Sequence, residues 1–404
     1  MKARALGSLL LALVTGCANV AEQQREAAAA ATARIEERVG ERYEGPGANG
    51  ETDDGALDAR ALALLDAGLT ETTAVRIALL NQREVRALLE RLGISSAELA
   101  RAGRPGEPVL SASVVDFDSG TEFELGIVQP LLDVLRLPAR RERARREHAQ
   151  AEAATVRAIV GLVYDVRRAY TSALWAERAV EIEREILRSA QAAHELMLEL
   201  HGAGNVTDVM LTAERLSLSE ARLAVARAES AARVAREPLN ALLGLWGRAS
   251  GWRFAADGEE LRFDADSLTN VETRAIAASL DLEASGARID ALAAAVGVES
   301  WEALLPSAEA GLALRHSADL DETGVGPSLA LGLPLFGAGA AARAGAKSAL
   351  RAALAEHVAL AVRVRAAARM LRERAVAASE QSVFLRDQHV PELERFVTDT
   401  LRNY

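Results

Sequence analysis

A β-hairpin that feeds directly into a very long helix, and does so twice, constrains this chain more than any other feature. Pro108–Asp118 and Thr121–Pro130 alternate apolar with small or polar residues on either side of Ser119-Gly120. After Pro138 a helical pattern runs unbroken over Ala139–His201. That is roughly 94 Å of helix at about 1.5 Å per residue, several times the width of a small domain. The second half repeats the arrangement: Pro306–His316 and Gly326–Leu335 form another pair of alternating runs, and Ala338–Tyr404 reads as another long helix. A tube whose strands cross a membrane and whose helices reach away from it satisfies both patterns. The fold class expected is therefore mainly α with a transmembrane β part, built from long antiparallel coiled coils and two β-hairpins.

The strands carry that expectation. Leu110, Ala112 and Val114 alternate with Ser111, Ser113 and Val115, and Phe123, Leu125 and Ile127 alternate with Glu124, Gly126 and Val128. Leu312 and Leu314 alternate with Glu309, Gly311, Ala313 and Arg315, and Leu329, Leu331, Leu333 and Leu335 with Ser328, Ala330, Gly332 and Pro334. Short runs of this kind fit transmembrane β-strands, with the leucine face towards lipid. A half-buried antiparallel sheet in a soluble domain has the same period. Four strands cannot close a barrel, and open edges are not tolerated in lipid. The hairpins must then be pooled between chains, and three copies supply twelve strands.

The N-terminus supplies an address. Lys2 and Arg4 precede an apolar stretch, Leu6–Val14, too short for a stable spanning helix. Val14-Thr15-Gly16-Cys17 looks like a bacterial lipobox, with cleavage before Cys17 and a diacylglyceryl thioether and palmitate on it; Cys17 is the sole cysteine, so no internal disulfide can form. Ala18-Asn19 lacks the aspartate of an inner-membrane retention signal, which favours the outer membrane. The expected layout is 1–16 signal peptide, 17–68 lipidated tether, 69–245 first repeat, 246–270 connector and 271–404 second repeat. Weak matches in the same order support a duplication: Ala78–Glu84 with Ala277–Glu283, and Leu125–Leu132 with Leu329–Phe336.

Within the first repeat, Thr70 is a candidate N-cap with Thr73 at the box position, and Gly93 ends the helix that follows. A second short helix is expected over Ser96–Ala102. Arg136, Arg140, Arg141, Arg143, Arg145 and Arg146 crowd the start of the long helix, against its dipole. Lipid phosphates would offset that conflict if this is the membrane face; a solvated basic turn is the plainer alternative. Val156, Ile159, Val160, Val163 and Val166 form one stripe, and Ile182, Ile186, Ala190, Ala193, Leu196, Met197 and Leu200 another. Breakers at Gly202–Asn205 lead to a return helix, 206–243, on which Val209, Leu216 and Leu223 are spaced to pack back on the preceding helix, with Pro238 ending or kinking it.

Several chemistries are disfavoured. A net charge of −11 argues against wholesale nucleic-acid binding. Gly337-Ala-Gly339 superficially matches a dinucleotide fingerprint, but Glu356, the acid at the right distance, lies within continuous helix. His194 and His201 share a helix face without a third ligand, so neither a metal nor any other cofactor is expected. No nucleophile–base signature stands out, and the chain does not read as an enzyme.

Together the lipobox at Cys17, the strand exits Pro130-Leu-Leu and Pro334-Leu-Phe-Gly, the turn Gly202–Val209, the Arg83–Ala87 helix and Pro108–Ser111 resemble the TolC-type outer-membrane efflux family over residues 69–404. The resemblance implies a homotrimer with a twelve-strand barrel in the outer membrane, continued by a periplasmic helical tunnel. Such ducts pass small molecules outward from an inner-membrane pump through a periplasmic adaptor. The family also has a turn and return helix after the second long helix, so the chain reads as C-terminally truncated, with the gating residues beside the second tip missing. On this frame Gly202, Gly204, Asn205 and Asp208 form the periplasmic tip, where Asp208 either rings the entrance or serves only as a first-turn acid after an Asn205 cap. Glu309 and Arg315 would line the lumen or pair locally across strands. Phe123, Leu125, Ile127, Leu312, Leu314, Leu329, Leu331 and Leu333 would face lipid. The rival reading is a periplasmic coiled-coil structural or adaptor lipoprotein without a channel.

Overall fold

The computed structural model describes residues 2–40, 59–117, 120–255, 268–304, 307–317, 322–333 and 337–403. In chain order these form α1 (Lys2–Val39), α2 (Ala59–Asp66), α3 (Glu71–Asn81), α4 (Arg83–Ala102), β1 (Val109–Phe117), β2 (Gly120–Pro130) and α5 (Leu131–Leu135). There follow α6 (Leu137–Gly202), α7 (Asp208–Leu243), α8 (Val271–Ala278), α9 (Leu280–Leu304), β3 (Ala308–Ser317), β4 (Glu322–Leu331), α10 (Ala338–Phe384) and α11 (Val390–Asn403). The long helix is continuous over 66 residues, with Pro138 tolerated in its first turn because the amide it lacks would have no helical partner there. The chain divides into two compact units: Met1–Ala29, Arg91–Arg157 and Leu261–Tyr404 in one, Ala30–Glu90 and Ala158–Glu260 in the other.

In the first unit the four strands make one antiparallel sheet in the order β1-β2-β3-β4. The hairpins join through β2 and β3, with Leu125 opposite Leu314 and Ile127 opposite Leu312. α9 packs on α10 where Gly339 permits it: a Cβ there would stand 2.5 Å from the Ala303 Cα. Gly337, at φ +70°, caps α10 in the left-handed region, so these glycines turn the chain and admit a neighbour. Glu356 lies inside α10 and accepts from Arg288 of α9 at 2.9 Å. Between α10 and α11, Leu385–His389 widens to a π-turn just before Pro391. Proline cannot donate to the ladder and its ring crowds the preceding turn, which such a bulge relieves.

The second unit holds a dense apolar core of Ile35, Leu69, Val75, Ile77, Val85, Ile159, Val163, Val166, Leu239 and Leu243, each nearly or wholly buried. Thr70 caps α3 as expected, its hydroxyl accepting from the Thr73 amide at 3.1 Å while Thr73 returns the bond at 2.8 Å. At the far end of α3, Asn81 Nδ2 donates to the carbonyls of Leu243 and Gly244, both at 2.8 Å, and Gln82 Nε2 to Ala241 at 3.1 Å. These bonds satisfy carbonyls that α7 leaves open at its C-terminus. Leu69 bridges to Phe254 in a parallel pair, with Tyr170 and Trp252 edge-on to the Phe254 ring.

Several local expectations are corrected. The segment expected as a tether is helical through Val39, and it buries Ala31, Ile35 and Val39, an apolar face that a solvated linker would not carry. The helix after Thr70 breaks at Gln82, where Asn81 and Gln82 turn to α7, and the next helix runs through Gly93 to Ala102 without a stop. Pro238 neither ends nor visibly breaks α7, which continues to Leu243 because Leu239, Asn240 and Leu243 are all buried beyond it. On α7 the buried heptad is Leu211, Leu218, Ala232 and Leu239, whereas Val209, Leu216 and Leu223 are exposed. On α6 the Val156–Val166 stripe is buried, but Ile182, Ile186 and Leu196 are not. Residues 41–58 of the expected tether, Pro306, Ser119 and the Pro334–Phe336 strand exit lie outside the described residues.

Candidate functional site

The sheet sorts its residues by face. Directly opposite residues in an antiparallel ladder share a face. On that rule Leu110, Ala112 and Val114 of β1 stand beside Ile127, Leu125 and Phe123 of β2. Those continue into Leu312, Leu314 and His316 of β3, and then into Pro327, Val325 and Thr323 of β4. Ala310 and Ala308 extend the same face to Leu329 and Leu331. The result is one apolar surface across all four strands, on which Leu110, Val114, Phe123, Leu125, Ile127, Leu312, Val325, Leu329 and Leu331 are exposed and Leu314 is half-buried. Leu333 is exposed too but lies just past the end of β4.

The opposite face is mostly small and polar: Ser111 and Ser113, Glu122, Glu124 and Gly126, Glu309, Gly311, Ala313 and Arg315, then Gly324, Gly326 and Ser328, with Val109, Val115 and Val128 among them. Arg315 Nη2 donates to Glu124 at 3.0 Å, and its Nε lies 3.9 Å from Glu122. A cross-strand pair therefore forms, but it ties the second hairpin to the first. Glu309 stands opposite Pro130 and Ala330 and makes no ion pair among the described residues. Gly311 is needed where it sits, since a Cβ there would be 2.4 Å from the Ile127 carbonyl oxygen; one on Gly126 would crowd only Ser111 Oγ, at 2.7 Å, which can rotate away.

The tip between α6 and α7 lies in the other unit. Gly202 is the last helical residue of α6, and Gly204, at φ +79°, takes the left-handed conformation. The Gly204 amide bonds to His201 and the Asn205 amide to Leu200, both at 2.9 Å, the paired bonds of a Schellman ending. Asn205 thus closes α6. The N-cap of α7 is Thr207, whose hydroxyl accepts from the Met210 amide at 3.3 Å. Asp208 opens α7 and is almost fully exposed, and its carboxylate meets His201 Nε2 at 2.7 Å. The carboxylate sits at the positive end of α7 and the imidazole at the negative end of α6, an orientation both dipoles favour.

Sequence reasoning missed Glu122 and Glu124 as partners of Arg315, because the register between hairpins so far apart in sequence has no local signal. It also missed His201 as the partner of Asp208, although their seven-residue separation across a glycine turn was visible. Cys17 lies within α1, and six positions further on the helix reaches Gln23. Among the described residues no cluster of three His, Cys, Asp or Glu side chains is placed to hold a metal, and no helix is long and apolar enough to cross a membrane, which says nothing of a β-barrel.

Residues 110–245, from the first hairpin through α7, match the family model for the outer membrane efflux protein. The chain is similar in structure to a membrane protein from Pseudomonas aeruginosa, with a TM-score of 0.65 at 19 % identity, over 90 % of this chain and 89 % of that one. Against the Campylobacter jejuni CmeC outer membrane channel the TM-score is 0.64 at 15 % identity, over 88 % and 85 %. Against the outer membrane protein VceC of Vibrio cholerae it is 0.62 at 17 % identity, over 84 % and 86 %. At these identities the likeness establishes the fold, a TolC-type arrangement of long helices and β-hairpins. No curated protein matches the sequence. The matched stretch contains the first hairpin, α6, the tip and α7, and the second hairpin with α10 lies outside it.

Proposed function

We propose that the chain is an outer-membrane efflux duct, the passive exit of a tripartite system that carries small molecules from an inner-membrane pump through a periplasmic adaptor. The observation that carries this reading is the sheet: one face apolar across four strands, the other mostly small and polar, and two open edges at β1 and β4. Unpaired strand edges are not viable in hydrocarbon, so the strands must close with those of other copies. Three chains joined β4 to β1 give twelve strands with apolar side chains towards lipid and the Arg315–Glu124 pair, Glu309 and the glycines towards the lumen. The length fits: the ten residues of β3 span about 34 Å, or about 24 Å when tilted by roughly 45°, close to the apolar band of such barrels.

Cys17 is the lipid attachment point, and the tip with Asp208 is the periplasmic entrance, where three carboxylates would favour cations over anions. A duct needs no catalytic group and no cofactor. The test is single-channel conductance in planar bilayers, together with heat-modifiable migration of the detergent-extracted trimer. A water-soluble, non-conducting protein after removal of the anchor would refute the duct and favour a coiled-coil periplasmic lipoprotein.

A further inference from the structure

We propose that a basic pocket at the end of the sheet where α6 begins is a binding site for a phosphate group, of which the diester in an anionic phospholipid headgroup is the foremost source. The pocket encloses about 270 Å³ and is walled by Arg104, Arg141 and Arg145, the Gln23 side chain and the turn around Gly103, with no carboxylate in its lining. The arginine cluster at the start of α6 is otherwise neutralised locally. Arg140 pairs with Asp133 at 3.3 Å, Arg143 with Glu147 at 2.8 Å, and Arg146 with Glu142 at 2.8 Å and Asp290 at 3.5 Å. Arg145 is held more loosely by Glu142, at 3.6 Å. Its hydrogen bond with Arg146 holds the Glu142 carboxyl below the usual carboxylate range, so that group is committed as an anion outside the pocket. Arg141 has no hydrogen bond or ion pair among the described residues, and it faces the cavity beside two further guanidinium groups.

Arg104 and Arg145 have partners of their own, which leaves Arg141 as the cation that an anion in the cavity would join first, and a guanidinium fork matches the oxygens of a phosphate. The pocket is also fixed to the sheet. Gln129 of β2 donates to the Gly106 carbonyl at 2.8 Å, and Asp133 packs so closely on Gly106 that a Cβ there would lie 2.2 Å from its carboxylate oxygen. From the other side Gln24 of α1 donates to the Gly93 carbonyl at 3.0 Å, which holds Gln23 at the cavity. Cys17 lies about 9 Å back along that helix at 1.5 Å per residue. The pocket therefore lies near the proposed anchor along α1, which on the duct reading brings it close to headgroup phosphates. This placement rests on the duct reading, whereas the cluster of guanidinium groups does not.

The test uses the purified full chain in detergent, with calorimetric titration by a short-chain phosphatidylglycerol in one arm and inorganic phosphate in the other. Arg141→Gln should weaken binding about tenfold, as loss of one charge-assisted contact implies, and Arg141→Lys should weaken it less. Arg168→Gln, which removes an exposed charge elsewhere on α6, should leave it unchanged. Tighter binding of the lipid than of inorganic phosphate assigns the headgroup as source; equal affinity assigns a free phosphate, and either supports the site. Binding too weak to detect in both arms, or binding that Arg141→Gln does not alter, overturns it. Conductance is recorded on the same preparations. A conducting protein that binds no phosphate sinks the pocket alone, and a phosphate-binding protein that never conducts sinks the duct alone.

Discussion

Leu312 and Ala313 are the two central residues of β3, at the same depth and on opposite faces of the sheet. Leu312 is exposed between Ile127 and Pro327, and Ala313 lies between Gly126 and Gly326, which leave room for a longer side chain. Arginine at either place alters charge and volume alike, so a difference between the two variants reports only the medium each face meets. If the leucine face meets hydrocarbon, Leu312→Arg costs about 2–4 kcal/mol per chain, the range found for arginine at the lipid-exposed midplane of a barrel. Three copies raise that to about 6–12 kcal/mol per assembly, enough to prevent insertion of a marginally stable barrel. Ala313→Arg would enter the water-filled side near Glu124 and cost little. The assay is the yield of heat-modifiable trimer in membranes and its urea midpoint after reconstitution into vesicles. Equal yields from the two variants, or the reverse order, would refute the assignment of faces and with it the barrel.

Other outcomes follow from the helical unit. Leu216→Glu, on the exposed apolar set of α7, should leave the chain folded by circular dichroism but reduce trimer recovered on gel filtration; Leu218→Glu, at a position 6 % exposed, should instead unfold α7, at a cost of about 3 kcal/mol or more. Asn81→Ala removes two 2.8 Å bonds to the end of α7 and should lower stability by about 1–3 kcal/mol, read as faster amide exchange near Leu245. Gly204→Ala meets no atom within 4 Å, so its cost is that of the left-handed backbone alone, about 1–2 kcal/mol in the denaturation midpoint. Burial, with Glu71 adding and Arg178 opposing, raises the Tyr170 phenol above its ordinary 10.0. Its stabilisation is complete below that value and is lost as pH climbs through the raised one, so alkaline denaturation should be shallower in Tyr170→Phe.

Much of the fold was legible because it is written in periods. The alternation of Leu110–Val114 and Phe123–Ile127 placed the strands and sorted their faces without any partner in view, and the Val156–Val166 spacing named a buried stripe correctly. What stayed hidden depended on contacts distant in sequence. Asn81 and Gln82 read as ordinary helix until the open carbonyls of α7 drew them out of it, and Gly93 read as a stop until tertiary packing carried the helix through. The Arg315–Glu124 pair needed the β2–β3 register, which only the assembled sheet defines. Asp208 was recognised as an acid at a turn, but Thr207, one residue before it, was passed over for Asn205 because both are good caps and the Schellman ending of α6 decides between them.

The choice of heptad frame on α7 failed for a more informative reason. Two residues along a helix turn about 200°, so Val209, Leu216 and Leu223 lie nearly opposite Leu211, Leu218 and Ala232. Both sets are apolar, and the sequence could not say which one packs within the chain. The ion pair of Arg184 with Glu229 at 2.6 Å, and that of Glu177 with Arg236, align α7 with α6 and turn the second set inward. The first set is then left bare, as are Ile182, Ile186 and Leu196 on α6. A helix apolar on two opposite faces is stable only between two partners, and one chain supplies one of them. The sheet has the same deficit in another form: its edges lack strands. A closed ring of identical chains removes both deficits at once, since the strand edges and the spare helix faces of each copy meet those of the next. A lone coiled-coil lipoprotein would need separate, unrelated partners for each.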